Sequence, residues 1–146
     1  MMFLQYFIWG AWYVTAGTYM AKILSSSGTE IGNTYSAFAI ATIISPFFVG
    51  SIADRYFSAQ NIMGILHVIG GLLLIYATQV TSSFAFLIIV LIYSIVYMPT
   101  VALSNNIVFA NISDTGRVFP VIRFFGTFGW IVAGFIIGKL QLENNI

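Results

Sequence analysis

The sequence predicts an all-α integral membrane protein of five transmembrane helices. Two features of composition and one of spacing carry that prediction. Hydrophobic residues make up 60% of the 146-residue chain and charged residues only 6%, whereas a soluble domain carries about 25% charged residues. The apolar residues gather into runs close to the roughly 20 residues that a helix needs to cross a bilayer. Those runs are about 2–24, 31–53, 60–80, 84–110 and 119–140, joined by short connections at 25–30, 54–59, 81–83 and 111–118. Short loops make neighbouring helices antiparallel, so the chain weaves through the bilayer without a separate soluble domain.

The composition also excludes several classes. There is no cysteine, which removes disulfides, thiolate catalysis and cysteine-based metal sites. The net charge of +1 and the lack of a basic cluster give no basis for a nucleic-acid partner. The first run is too long for a signal-peptide core, and no basic start or cleavage site accompanies it, so it is a true span. No catalytic pair, zinc-ligand spacing or phosphate-binding glycine loop is present. The expectation is therefore a protein that is not an enzyme and holds neither cofactor nor metal. Five spans is an odd number at which to stop, and the chain is expected to be a piece of something larger.

Span one carries Gln5, Trp9, Trp12, Ala16 and Tyr19 at helical spacing, a polar-aromatic stripe on an otherwise apolar helix. It lines a cavity, or it forms interfacial aromatic belts with ordinary packing; Trp9 and Trp12 lie deep in the run, which favours the cavity. Thr29 is placed to cap the second span, and Glu30 suits its positive end. Span two has small residues at four-residue spacing, Gly32 with Ser36 and Ala37 with Ala41, which suit close helix approach in lipid. Pro46 is expected to kink it. At its end stand Gly50-Ser-Ile-Ala-Asp54-Arg55. In so uncharged a chain this acid–base pair is either a charged latch across a short loop or simple solvated charge.

Span three holds His67, the sole histidine. With no carboxylate in the same span, a hydrogen-bonded structural role is favoured over a proton relay. Gly64, Gly70 and Gly71 read as close contacts. Span four carries Tyr93, Tyr97, Thr100 and Ser104 on one face, with Pro99 expected to break the helix near its middle. Asn105 and Asn106 follow, and buried amides in a membrane must face protein or water. In span five, Gly126, Gly134 and Gly138 again suggest close packing, with Trp130 between them.

The most informative stretch is Phe119 to Trp130. Arg123 sits about one turn inside the apolar run, where a charge costs about 2.5 kcal/mol or more, so it is a functional candidate. Arg123, Thr127 and Trp130 fall at i, i+4 and i+7 on one helical face. A cation, a hydroxyl and a large ring on one face suit a polar ligand with a flat ring; the other reading is an arginine that reaches to the headgroups beside a tryptophan that merely packs. Charge does not decide orientation, because Arg55 and Arg117 balance Lys22 and Lys139 across the bilayer. Inward polar-aromatic stripes, small-residue faces and prolines together fit a solute transporter. No carboxylate lies within a span, so a proton-coupling acid must lie elsewhere in a longer chain or be absent.

Two stretches carry a family resemblance. Gly50-Ser-Ile-Ala-Asp54-Arg55 resembles the loop motif between the second and third helices of the major facilitator superfamily, although Ser58, Ala59 and Gln60 stand where basic residues usually follow. The sharper match is to the bacterial nucleoside–proton symporter family, the NupG-like permeases. It runs through Phe3-Leu-Gln-Tyr-Phe-Ile-Trp-Gly-Ala-Trp12, Gly17-Thr-Tyr-Met20, Ile31-Gly-Asn-Thr-Tyr-Ser36, Ala53-Asp-Arg-Tyr-Phe-Ser-Ala59, Tyr97-Met-Pro-Thr100 and Phe119-Pro-Val-Ile-Arg-Phe-Phe-Gly-Thr-Phe-Gly129.

The resemblance implies the first five helices of a twelve-helix transporter, multi-pass in the cell inner membrane, that couples uptake of a nucleoside to a proton by alternating access. Its partners would then be the nucleoside, the proton, the bilayer and a missing C-terminal half. The family's contacts in this half map to Arg123, Thr127 and Trp130; the third is commonly Phe, so the bulkier Trp130 is a departure. Gly50, Asp54 and Arg55 become gate residues on the cytoplasmic side, as does the connection at 111–118. Gln5, Trp9, Tyr97 and Asn105 are candidates to line the cavity. Two alternatives stay open: a carrier of the same superfamily for another solute such as a sugar, and a small helical membrane subunit that transports nothing.

Overall fold

The structure is a computed structural model that describes residues 1–56 and 58–140, with side chains described except at 46 and 48–56. The gate residues Gly50, Asp54 and Arg55, and the predicted kink at Pro46, therefore lie outside the described side chains. Five helices follow one another: α1 (Met2–Lys22), α2 (Gly28–Tyr56), α3 (Ala59–Ala77), α4 (Ser83–Asn111) and α5 (Thr115–Lys139). Among the described residues three of them, α3, α4 and α5, are long and apolar enough by length and composition to cross a membrane. α1 is 21 residues long, which suffices, but Gln5, the two tryptophans and three tyrosines dilute its apolar character.

The chain divides into two compact units, Met1–Ser25 with Val108–Ile146, and Ser26–Ile107. In the first unit, α1 and α5 interlock through glycines and aromatic rings. A β-carbon on Gly126 would stand 2.7 Å from the Tyr6 ring, and one on Gly10 would stand 3.1 Å from the Trp130 indole. A β-carbon on Gly129 would collide with the Phe3 carbonyl. Each helix thus offers rings where the other offers glycine. Lipid provides no hydrophobic drive for association, so such van der Waals contact is what holds the pair. Phe3 also meets Phe128 at 6.1 Å between centroids, and Ala133 and Met20 are fully buried. Of the three glycines expected to pack closely, Gly126 does, while Gly134 and Gly138 meet nothing within 4 Å; Gly129 packs closely in addition.

α5 begins a turn earlier than the apolar run suggested. Asp114 caps it by accepting a hydrogen bond from the Arg117 N–H at 3.1 Å, and this satisfies a donor left free at a helix start. Residues 115–118 are therefore helical rather than part of the connecting loop. Pro120 lies inside the helix, still close to its start, where the missing N–H does less damage than in mid-helix.

In the second unit α4 runs unbroken through Pro99, against the expected break. Its hydroxyls turn back on the helix: Ser94 donates to the Val90 carbonyl, Thr100 to Tyr97 at 2.6 Å and Ser104 to Val101 at 2.7 Å. In a membrane such bonds help to satisfy buried hydroxyls. Tyr93, Tyr97, Thr100 and Ser104 are all buried, so the predicted stripe is one face. On it, Tyr93 and Tyr97 stack at 5.1 Å, Tyr93 lies over Gly70, and the His67 ring meets Tyr97 edge-on at 5.6 Å. His67 Nδ1 lies 2.7 Å from the Met63 carbonyl, the hydrogen-bonded structural arrangement. Gly64 and Gly71 face open space, as does Gly32; of the small residues of α2, Ala41 is buried while Ser36 is exposed.

The start of α2 corrects the predicted cap. Ser27, not Thr29, does the capping. Its N–H and its hydroxyl both donate to Glu30 Oε2 at 2.8 Å, and its hydroxyl accepts from the Glu30 N–H at 3.3 Å. This reciprocal Ser-x-x-Glu arrangement is a capping box. The Ser26 and Ser83 hydroxyls share a hydrogen bond of 2.7 Å, which ties the start of α4 to the same polar knot.

Two expectations follow. Gly129→Ala should lower the thermal stability of the purified protein in detergent, by about 1–3 kcal/mol as overpacking does, while Gly134→Ala on the same helix should leave it unchanged; equal effects would count against the interlock. The Ser27 N–H, followed by its hydroxyl, holds the Glu30 carboxyl below the usual carboxylate range. A group lowered on folding stabilises above its unfolded pKa and loses that contribution as pH falls. Glu30→Gln should therefore melt lower than the parent at neutral pH, and the two melting curves should converge in acid.

Candidate functional site

The site candidates of α5 meet α1 inside the first unit. Arg123 is half-buried, and its guanidinium carbon lies 4.4 Å from the centroid of the Tyr6 ring. A cation over an aromatic face at that distance gains roughly 0.5–2 kcal/mol, more where water is excluded. The contact exists because Gly126, three residues further along α5, lets the Tyr6 ring press against the helix. Arg123 Nη1 is nonetheless buried with no hydrogen-bond partner among the described residues. Arg123 therefore does not simply reach outward; its guanidinium lies over a ring of α1.

Trp130 sits beside this pair in an aromatic group. Its indole meets Trp9 edge-on at 5.1 Å and Tyr13 at 5.9 Å, and Trp9 meets Tyr6 at 5.8 Å. Thr127, between Arg123 and Trp130 in sequence, is exposed. The three predicted residues thus share a face whose flanks pack on α1 and whose middle is open.

The cavity candidates divide between the units. Gln5 is buried and Trp9 half-buried in the first. In the second, Tyr97 is buried in the α4 stripe and Asn105 is half-buried, its amide oxygen enclosed without a hydrogen-bond partner among the described residues. Asn106 is exposed.

Sequence reasoning missed Tyr6. It falls one residue beyond Gln5 and off the stripe read for span one. Its signal was the pairing of an aromatic-rich helix with two close glycines, Gly126 and Gly129, on the helix that carries the arginine.

These features are those of a polytopic membrane protein: apolar helices, a charge seated within one of them, and an aromatic ring beneath that charge. A profile described as Nucleoside H+ symporter matches residues 1–144, and the chain belongs to that family. The structure is similar to the crystal structure of nucleoside transporter NupG, with a TM-score of 0.91 and 38% identity over 97% of this chain and 36% of that one. The fold is accordingly that of the N-terminal helices of a major facilitator superfamily transporter. Among curated relatives, YegT of Escherichia coli (strain K12) is 49% identical over 140 residues, 96% of this chain and 33% of YegT. Xanthosine permease of the same organism is 40% identical over 147 residues, 98% of this chain and 35% of the permease. The chain thus spans about a third of the length of the curated relatives it matches.

The contact that positions Arg123 can be broken without touching it. Gly126→Ala places a methyl 2.7 Å from the Tyr6 ring and should lower thermal stability by about 1–3 kcal/mol. Adding Tyr6→Leu, whose flexible side chain can yield, should recover part of that loss; if the double variant is no more stable than Gly126→Ala, the ring is not what the glycine accommodates.

Proposed function

We propose that this chain supplies the first five helices of a twelve-helix secondary transporter that takes up nucleosides together with a proton across the cell inner membrane. The observation that carries the reading is the arginine of α5, placed over an aromatic ring with one nitrogen buried and lacking a hydrogen-bond partner among the described residues, beside an aromatic group. A nucleoside offers the complement: oxygens that accept hydrogen bonds from Arg123 and Thr127, and a flat base that packs on Trp130. The family membership, and relatives named for nucleoside and xanthosine transport, support that substrate class.

Substrate would sit near the bilayer midplane between the two halves, which rock around it. Gly50, Asp54 and Arg55 would form a latch on the cytoplasmic side that breaks and re-forms in that motion. No aspartate or glutamate lies within the five runs of the sequence, so the proton-coupling acid would be supplied by the other half.

The test is uptake of labelled uridine by the full-length transporter in proteoliposomes under an inward proton gradient, competed by adenosine or by glucose. Competition by adenosine alone is expected. Competition by glucose would make the protein a sugar carrier, and uptake insensitive to the proton gradient would remove the coupling. Arg123→Ala should abolish uptake in protein that still folds and inserts; normal uptake by that variant would refute the site.

A further inference from the structure

Tyr6 has no role in the site read from the sequence, yet it is the residue that Arg123 rests on. It is 6% exposed. Its ring is fixed on one side by Gly126 and carries the Arg123 guanidinium at 4.4 Å. Its hydroxyl is buried with no hydrogen-bond partner among the described residues, and so is Arg123 Nη1. Because the guanidinium stacks on the ring rather than reaching the hydroxyl, neither polar group satisfies the other. A buried hydroxyl left unpaired is destabilising, and a charged donor more so. A phenylalanine would give the same ring and the same cation–π contact without that cost, so packing alone does not account for the hydroxyl.

We infer that Tyr6 is a substrate-binding residue: its hydroxyl and Arg123 Nη1 together hold an oxygen of the transported nucleoside. This inference rests on the nucleoside reading above. The guanidinium can only donate, while the tyrosine hydroxyl donates or accepts, so the pair takes either a carbonyl oxygen of the base or a hydroxyl of the sugar. The ring contributes separately: it holds the guanidinium in place, so less rotamer entropy is lost on binding.

The experiment is uridine binding to the full-length transporter in detergent, by calorimetry, for the parent, Tyr6→Phe and Tyr6→Leu, with the unliganded melting temperature measured for each. Tyr6→Phe removes one oxygen and keeps the ring. It should weaken uridine binding roughly ten-fold, the equivalent of about 1.4 kcal/mol, while the unliganded melting temperature stays level or rises, because the unpaired hydroxyl is gone. Tyr6→Leu should weaken binding further, because Arg123 also loses its platform. Parent-like affinity in Tyr6→Phe would overturn the inference while leaving the nucleoside reading intact. A loss of affinity matched by a fall in unliganded melting temperature would also overturn it, since the hydroxyl would then serve the fold. No uridine binding by the parent would overturn the nucleoside reading, and this inference with it.

Discussion

The closeness of α1 and α5 is the constraint on which the first unit depends. Apolar side chains gain little by leaving lipid for one another, so two helices in a bilayer hold together by shape. Here the shape is reciprocal, with Gly126 and Gly129 receiving Tyr6 and Phe3, and Gly10 receiving Trp130. That fit brings an aromatic face under Arg123. A cation–π contact of roughly 2 kcal/mol in a desolvated setting nearly offsets a burial cost of about 2.5 kcal/mol or more. It does not satisfy the buried guanidinium nitrogen. A structural arginine would be expected to find a carbonyl for that atom; one kept short of a partner in an otherwise well-fitted contact has the character of a site.

The second unit solves the opposite problem, how to bury polar groups that need no ligand. The hydroxyls of Ser94, Thr100 and Ser104 donate to carbonyls of their own helix. Their polarity is therefore spent locally, and the α4 stripe serves to pack against Gly70 and His67. Two stripes that look alike in sequence thus differ in kind. The hydroxyls of the α4 stripe bond to their own helix, whereas the α5 stripe has an exposed hydroxyl and an arginine nitrogen with no hydrogen-bond partner among the described residues.

Much of this was legible from the chain. The helices follow from runs of apolar residues, which respond only to length and hydropathy, and the depth of Arg123 needed no partner to be noticed. What was not legible depended on contacts between segments distant in sequence. Tyr6 could not be assigned to Arg123 without knowing which faces of α1 and α5 meet. Gly126 and Gly134 look equivalent in the sequence, yet one meets a ring and the other meets nothing. The cap of α2 is a different case: Ser27-Gly-Thr-Glu30 carries the capping-box spacing in the sequence itself, while Thr29 stands nearer the apolar run. The apparent break at Pro99 overlooked that a long helix can lose one backbone hydrogen bond and continue when its neighbours are satisfied.

Trp130 shows how the interlock bears on specificity. The family resemblance places an aromatic residue there, commonly the smaller phenylalanine, and an indole in its place threatens to fill the space a ligand needs. Its Cγ and Cδ2 atoms, however, lie 3.2 and 3.1 Å from where a β-carbon on Gly10 would stand, and its edge is met by Trp9 and Tyr13. The absent side chain of Gly10 therefore takes up part of the added bulk, directing it into α1 rather than away from it. The larger ring and the glycine make sense only as a pair. The shape of this face is consequently set as much by the glycine of α1 as by the ring of α5.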